Sequence, residues 1–228
     1  MKPEPQSRPI GFKTYLIQRI IAGEKTVTRR TKGLEFMNDI PFTHGLDRMP
    51  YKKDGRWFYD LQTDVDDSQT FELRCPYGQP GDLLWIRETF CQLNRDVPHE
   101  YFYLADALQQ EDYYPPDWKW SPSIFMPRKA ARILLEIEDV RPERLMDGLT
   151  NDEAVLEGVE RQGDGWRCYK TIKTGRHKGE EHPFNAVPMR EAVFSFEELW
   201  DEINGEHNFS TNPWVWRIQF KVVAHVSK

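Results

Sequence analysis

Cysteine is scarce in this chain, and its metal-ligand residues are scattered. Three cysteines occur in 228 residues, Cys75, Cys91 and Cys168, odd in number and with no Cys-x-x-Cys pair. The six histidines show no ligand spacing against them. A disulfide framework and a structural zinc site are therefore both disfavoured. The expectation is three reduced thiols in a cytoplasmic protein that uses no metal and no cofactor. Long apolar runs are missing as well. Mean hydropathy is −0.73, and no window approaches the ~20 continuous apolar residues that a membrane span requires. The first fifteen residues, MKPEPQSRPIGFKTY, carry no apolar core of a secretion leader. Nor is positive charge in excess. The 31 Lys and Arg stand against 37 Asp and Glu, a net charge of −6. That excludes a generically basic nucleic-acid coat while leaving room for a local basic groove.

Aromatics are plentiful, at 13% with eight Trp, which argues against disorder. The length suffices for one large domain with a real core. Residues 14–22 carry Leu16, Ile17, Ile20 and Ile21 on one helical stripe, with Thr14 as N-cap and Gly23 as stop. The segment 83–87 follows the turn Pro80-Gly81-Asp82 and reads as a short buried strand. Ile133, Leu135 and Ile137 alternate with polar residues in a second strand, and 214–223 alternate in a third. Thr150 and Glu153 form a capping box that opens a helix closed by Gly158. Ser195 and Glu198 form another, with Phe194 and Leu199 as its hydrophobic staple and Gly205 as its end. Between these lie irregular stretches at about 31–79, 91–127 and 160–190, read as surface insertions. Few helices and scattered strands without a βαβ rhythm predict an α+β fold, a mixed sheet or small barrel with flanking helices, in one domain.

The densest polar cluster is Lys25-Thr26-Val27-Thr28-Arg29-Arg30, three cations and two hydroxyls in six residues just past a helix end. Such a cluster serves either as a charged edge strand or as a site for an anion or base edge, with Thr28 as a hydroxyl donor or nucleophile.

The string Ile21-Ala22-Gly23-Glu24-Lys25-Thr26-Val27-Thr28-Arg29-Arg30, then Pro80-Gly81-Asp82-Leu83-Leu84, then Glu153-Ala154-Val155-Leu156-Glu157-Gly158 resembles an ASCH domain. This is the PUA-like barrel family that includes the N(4)-acetylcytidine amidohydrolases. The last helix and Asn212-Pro213-Trp214-Val215-Trp216 resemble its longer phage and prophage members. The matched pieces keep the family's order, although 31–79 separates the Lys-Thr string from the Gly-Asp turn.

The resemblance implies a PUA-like mixed β-barrel and a catalytic set of Lys25, Thr28 and Glu157. A lysine crowded by Arg29 and Arg30 parts with its proton more readily and deprotonates a hydroxyl. Thr28 attacks an exocyclic amide, and Glu157 protonates the departing amine of the cytosine. Glu157 also sits in the last helical turn before Gly158, where the helix dipole disfavours its charge. Arg29, Arg30, Asp82 and Arg128 are the substrate-binding candidates. The implied activity is removal of an acyl group from a 4-acetylcytidine-like nucleoside. A non-catalytic RNA or modified-base module and a ribonuclease stand as alternatives.

Residues 161–178 interleave cations, among them Arg167, Lys170 and Lys173, with Trp166 and Tyr169. That composition suits RNA or single-stranded DNA, and equally a solvated loop. The expected partners are thus a nucleoside or modified base, with nucleic acid as a second class and no membrane. The expected state is a monomer or small homo-oligomer.

Overall fold

The computed structural model describes residues 4–39, 49–64, 67–92, 101–108, 119–170 and 188–225. Its elements run in the order β1 (Ser7–Gly11), α1 (Thr14–Ile21), β2 (Val27–Arg30), α2 (Glu35–Asp39), β3 (Tyr51–Lys53), β4 (Arg56–Asp64), β5 (Asp67–Leu73), β6 (Leu83–Arg87), β7 (Phe90–Cys91), β8 (Phe102–Tyr103), α3 (Leu104–Ala107), β9 (Ile133–Arg144), α4 (Asn151–Leu156), β10 (Arg161–Gln162), β11 (Gly165–Trp166), α5 (Ala192–Asn204) and β12 (Trp214–His225). The fold is mixed α+β and rich in sheet.

The main sheet has five strands in the order β1-β6-β9-β12-β2. The small barrel expected from the sequence is not formed: among the described residues this order stays open, with β1 and β2 at its edges. Pro9 in the middle of β1 has no N–H to donate, which suits an edge strand and resists closure on that side. Three small sheets accompany the main one: β3-β4-β5, β7-β8 and β10-β11. Among the described residues no helix is long and apolar enough to cross a membrane.

The chain divides into two compact units, Met1–Thr26 with Tyr77–Asp139 and Gln219–Lys228, and Val27–Pro76 with Val140–Ile218. In the first, β1 and β6 pair in parallel from Ser7↔Leu83 to Gly11↔Arg87. β6 pairs antiparallel with β9 through Leu84↔Leu135. Helix α1 buries Leu16, Ile17 and Ile20, the stripe its periodicity dictates. Each such side chain contributes about 1.5–3 kcal/mol by leaving water. The turn at 79–82 is held by Asp82, whose carboxylate accepts the Gln6 N–H (2.9 Å), the Arg8 guanidinium (2.9 Å) and the Gln79 N–H (3.1 Å).

The described residues of 31–76, in the second unit, contain ordered structure where an irregular insertion over 31–79 is expected. Asp54 (φ 50°) and Gly55 (φ 77°) both occupy the left-handed region. This is the conformation of a two-residue hairpin turn whose Asp-Gly signal lies in the sequence. The hairpin bears on the core. Tyr59 is buried and meets Trp214 edge-on at 6.3 Å. The Trp57 Nε1–H donates to the Val140 carbonyl (3.0 Å). Asn38 on α2 exchanges two hydrogen bonds with the Trp214 backbone. Trp214 and Trp216 are core residues, as their alternation implied.

Helix α4 is capped as expected, with the Thr150 hydroxyl accepting the Glu153 N–H (3.2 Å). Helix α5 departs from expectation and starts three residues before Ser195, at Ala192. Ser195 lies fully buried inside the helix, and its hydroxyl donates to the Arg167 carbonyl (2.6 Å). A tertiary acceptor thus takes the hydroxyl that the capping box would have used.

Candidate functional site

Lys25 lies at the end of α1, in the first unit. Gly23 (φ 75°) turns the chain out of the helix, and the Glu24 and Lys25 amides both donate to the Arg19 carbonyl, at 2.9 and 3.2 Å. Lys25 therefore still belongs to the helix terminus, and the regular strand begins only at Val27. Its side chain is 2% exposed. Nζ stands 5.7 Å from the Phe12 ring centroid, and that ring tilts against Phe220 at 6.2 Å.

The polar centre of the second unit is built on Arg29. Nε donates to Glu143 (3.0 Å), Nη1 to Glu157 (3.1 Å) and Nη2 to Glu153 (2.8 Å). Glu153 is shared with Arg217 through two further bonds of 2.9 and 2.8 Å, and Glu143 with Arg141 at 2.9 Å. Three guanidinium groups thus face three carboxylates. Burial works against the Arg29 charge, but Glu157, Glu143 and Glu153 outweigh it and hold its pKa above the ordinary value. Glu153 is brought down to about 2, chiefly by the Arg217 hydrogen bond, against the opposing effect of burial and with help from Arg29.

Successive side chains of a strand point to opposite faces. Along β2, Arg29 shares a face with Val27, while Thr28 and Arg30 share the other. Glu157 is bound by Arg29, at 3.1 Å from Nη1. Thr28 is itself buried, at 4% exposure, and Arg30 is half-buried. The Arg29 side chain is 1% exposed and bonded at each of its three nitrogens to the chain's own carboxylates.

The remaining candidates fall in different places. Asp82 is buried and engaged in the 79–82 turn. Burial pushes its carboxyl up, but the Gln6, Arg8 and Gln79 hydrogen bonds win and lower it below the usual range. Arg128 is exposed and lies against Trp85, at 5.7 Å from a centroid of that ring. Arg167 pairs with Glu160 (2.8 Å) and packs on Tyr169, while Lys170 pairs with Glu198 (2.9 Å). Lys173 lies outside the described residues. Among the described residues no three His, Cys, Asp or Glu side chains group as metal ligands.

Two groups escaped the sequence reading. Arg132 binds Glu88 through Nε (3.0 Å) and Nη2 (2.9 Å), binds Asp106 as well, and lies 4.0 Å above the Tyr103 ring. Glu88 and Arg132 are 44 residues apart, so no local pattern announces them. Arg87 ends β6, a strand that reads as apolar in sequence. It too lies against Trp85, at 5.4 Å from the centroid, and its Nε is buried without a hydrogen-bond partner among the described residues. Compared with protein-family models, curated proteins and solved structures, the chain matches none.

Proposed function

We propose that the protein is an amidohydrolase of the ASCH family, with a PUA-like core, that removes an acyl group from the exocyclic amine of a 4-acetylcytidine-like nucleoside. The observation that carries this reading is Lys25, an amine 2% exposed and set beside the Phe12 ring. Its position ahead of the regular strand also supports the reading, because two positions three apart within one strand would point to opposite faces. In the proposed reaction the Lys25 amine takes the Thr28 hydroxyl proton as the oxygen bonds to the acyl carbon. The tetrahedral intermediate collapses, the C–N bond breaks, and Lys25 returns the proton to the departing amine. Water then hydrolyses the Thr28 ester and releases the carboxylic acid. Glu157, held by Arg29, is a positioning residue in this scheme rather than the acid.

A second reading, a modified-base binding module without chemistry, draws on that same Arg29–Glu157 pairing, in which the carboxylate serves to hold a buried cation. One experiment separates the two. The full chain is incubated with 4-acetylcytidine, and cytidine is measured by chromatography. Release that falls by a factor on the order of 10² or more in Lys25→Ala and in Thr28→Ala supports the amidohydrolase. Wild-type protein that releases no cytidine overturns it and leaves the binding module.

A further inference from the structure

We infer that Arg87 and Arg128, both seated against Trp85, form a phosphate-binding pair, and that the ligand of this protein is a nucleotide rather than a free nucleoside. The inference rests on the base-directed reading above for the identity of the base, and on its own observations for the phosphate. Two guanidinium groups share one indole ring, at 5.4 and 5.7 Å from a ring centroid. No carboxylate pairs with either among the described residues, in contrast to Arg8, Arg29, Arg132 and Arg217, each of which has one. The acid next in sequence to Arg87 is Glu88, and its carboxylate is taken by Arg132. Residues 119–135 contain Lys119, Arg128, Lys129 and Arg132 and no acid at all, in a chain whose net charge is −6.

The segment carrying Arg128 is anchored from below. Met126 and Ala130 are buried with Phe90, Tyr101 and Tyr103, and the Tyr103 hydroxyl donates to the Ala130 carbonyl (2.7 Å). From that fixed turn Ile124 and Phe125 project into solvent, 68% and 72% exposed. Two cations without carboxylate partners, with the exposed Phe125 ring three residues ahead of Arg128 in the chain, match the two halves of a nucleotide, a phosphate for the guanidinium groups and a planar base for the ring. The location agrees with the base-directed site. Arg87 pairs with Gly11 at the carboxyl ends of β1 and β6, and the next residue, Phe12, is the ring beside Lys25.

Calorimetric titration of the full chain with cytidine, cytidine 5′-monophosphate and inorganic phosphate tests this. The monophosphate should bind at least about tenfold more tightly than cytidine, a preference that added salt erodes. In the Arg87→Gln/Arg128→Gln double variant that preference should shrink toward one. Arg128→Gln alone, at an exposed position, should remove a large part of it with an unchanged circular dichroism spectrum. Equal affinity of the wild type for the two cytidines, no binding of the monophosphate, or a preference that survives the double variant overturns the inference. Inorganic phosphate binding as tightly as the monophosphate overturns the nucleotide assignment. A chain that prefers the monophosphate yet releases no cytidine from 4-acetylcytidine fails only as an amidohydrolase.

Discussion

Arg29 Nη1 donates to Glu157 Oε1 across 3.1 Å, in a position where the Arg29 side chain is 1% and the Glu157 side chain 5% exposed. This bond joins a strand residue to the C-cap of α4. It pairs two residues that the sequence offers as binding and catalytic groups.

Removing Arg29 should cost more than removing any one of its partners. Arg29→Leu leaves Glu143, Glu153 and Glu157 without their shared cation, and breaking a buried pair from one side costs about 3–5 kcal/mol. Glu157→Gln keeps an acceptor in place and should cost about 1–3 kcal/mol. Urea unfolding of the two variants against wild type measures both, and a loss below about 1 kcal/mol in Arg29→Leu would show the cluster to be effectively solvated.

Acid should destabilise the fold through Glu153. Its carboxyl is held at about 2, below its ordinary value, first by Arg217 and then by Arg29. A depressed folded-state pKa contributes stability above the unfolded value and loses it as pH falls through the folded one. The melting temperature should therefore drop between about pH 5 and pH 2, and Glu153→Gln should flatten that slope while lowering stability at neutral pH. The groups facing Glu153 are Arg29 and Arg217, which stay charged throughout, so the transition reports the carboxylate. Melting curves across this pH range decide the matter.

Deacylation should separate Lys25 from Glu157. Lys25→Ala and Thr28→Ala should each abolish measurable cytidine release, whereas Glu157→Gln should lower it and keep the shape of its pH–rate profile. A profile that loses its alkaline limb in Glu157→Gln would return the glutamate to the role of proton donor.

The basic 161–178 segment should contribute little to nucleic-acid affinity through Arg167 and Lys170, because Glu160 and Glu198 already neutralise them. Each phosphate contact on a single strand adds about 0.7 to the log–log salt slope. Arg167→Gln/Lys170→Gln should change that slope for an oligocytidylate by less than one contact's worth, and Arg128→Gln by more. Filter binding across a salt series reads both.

Gly33→Ala should destabilise the second unit. Gly33 has φ 89°, and a Cβ there would stand 2.9 Å from Pro76 Cδ. A left-handed alanine under contact costs about 1–3 kcal/mol. Equal urea midpoints for variant and wild type would refute the constraint.

The chain's local code was legible where one element answers to its own neighbours. The α1 stripe, the Thr150 cap and the alternation of β9 follow from periods of 3.6 and 2.0, which are properties of the sequence alone, whereas β12 buries Trp214–Ile218 on both faces and exposes residues 221–224, against its expected alternation. The Asp54-Gly55 hairpin was equally readable, and its recognition would have turned the supposed insertion into a sheet. Lys25, Thr28 and Arg128 could be singled out because their residue types are informative in short strings. Partnership was not readable. Arg29 meets Glu143, Glu153 and Glu157 across 114 to 128 residues, and Arg132 meets Glu88 across 44. A charged side chain looks the same in sequence whether it awaits a ligand or is already matched. Only the tertiary structure decides, because desolvation makes an unmatched buried charge untenable and so selects its partner by position in space.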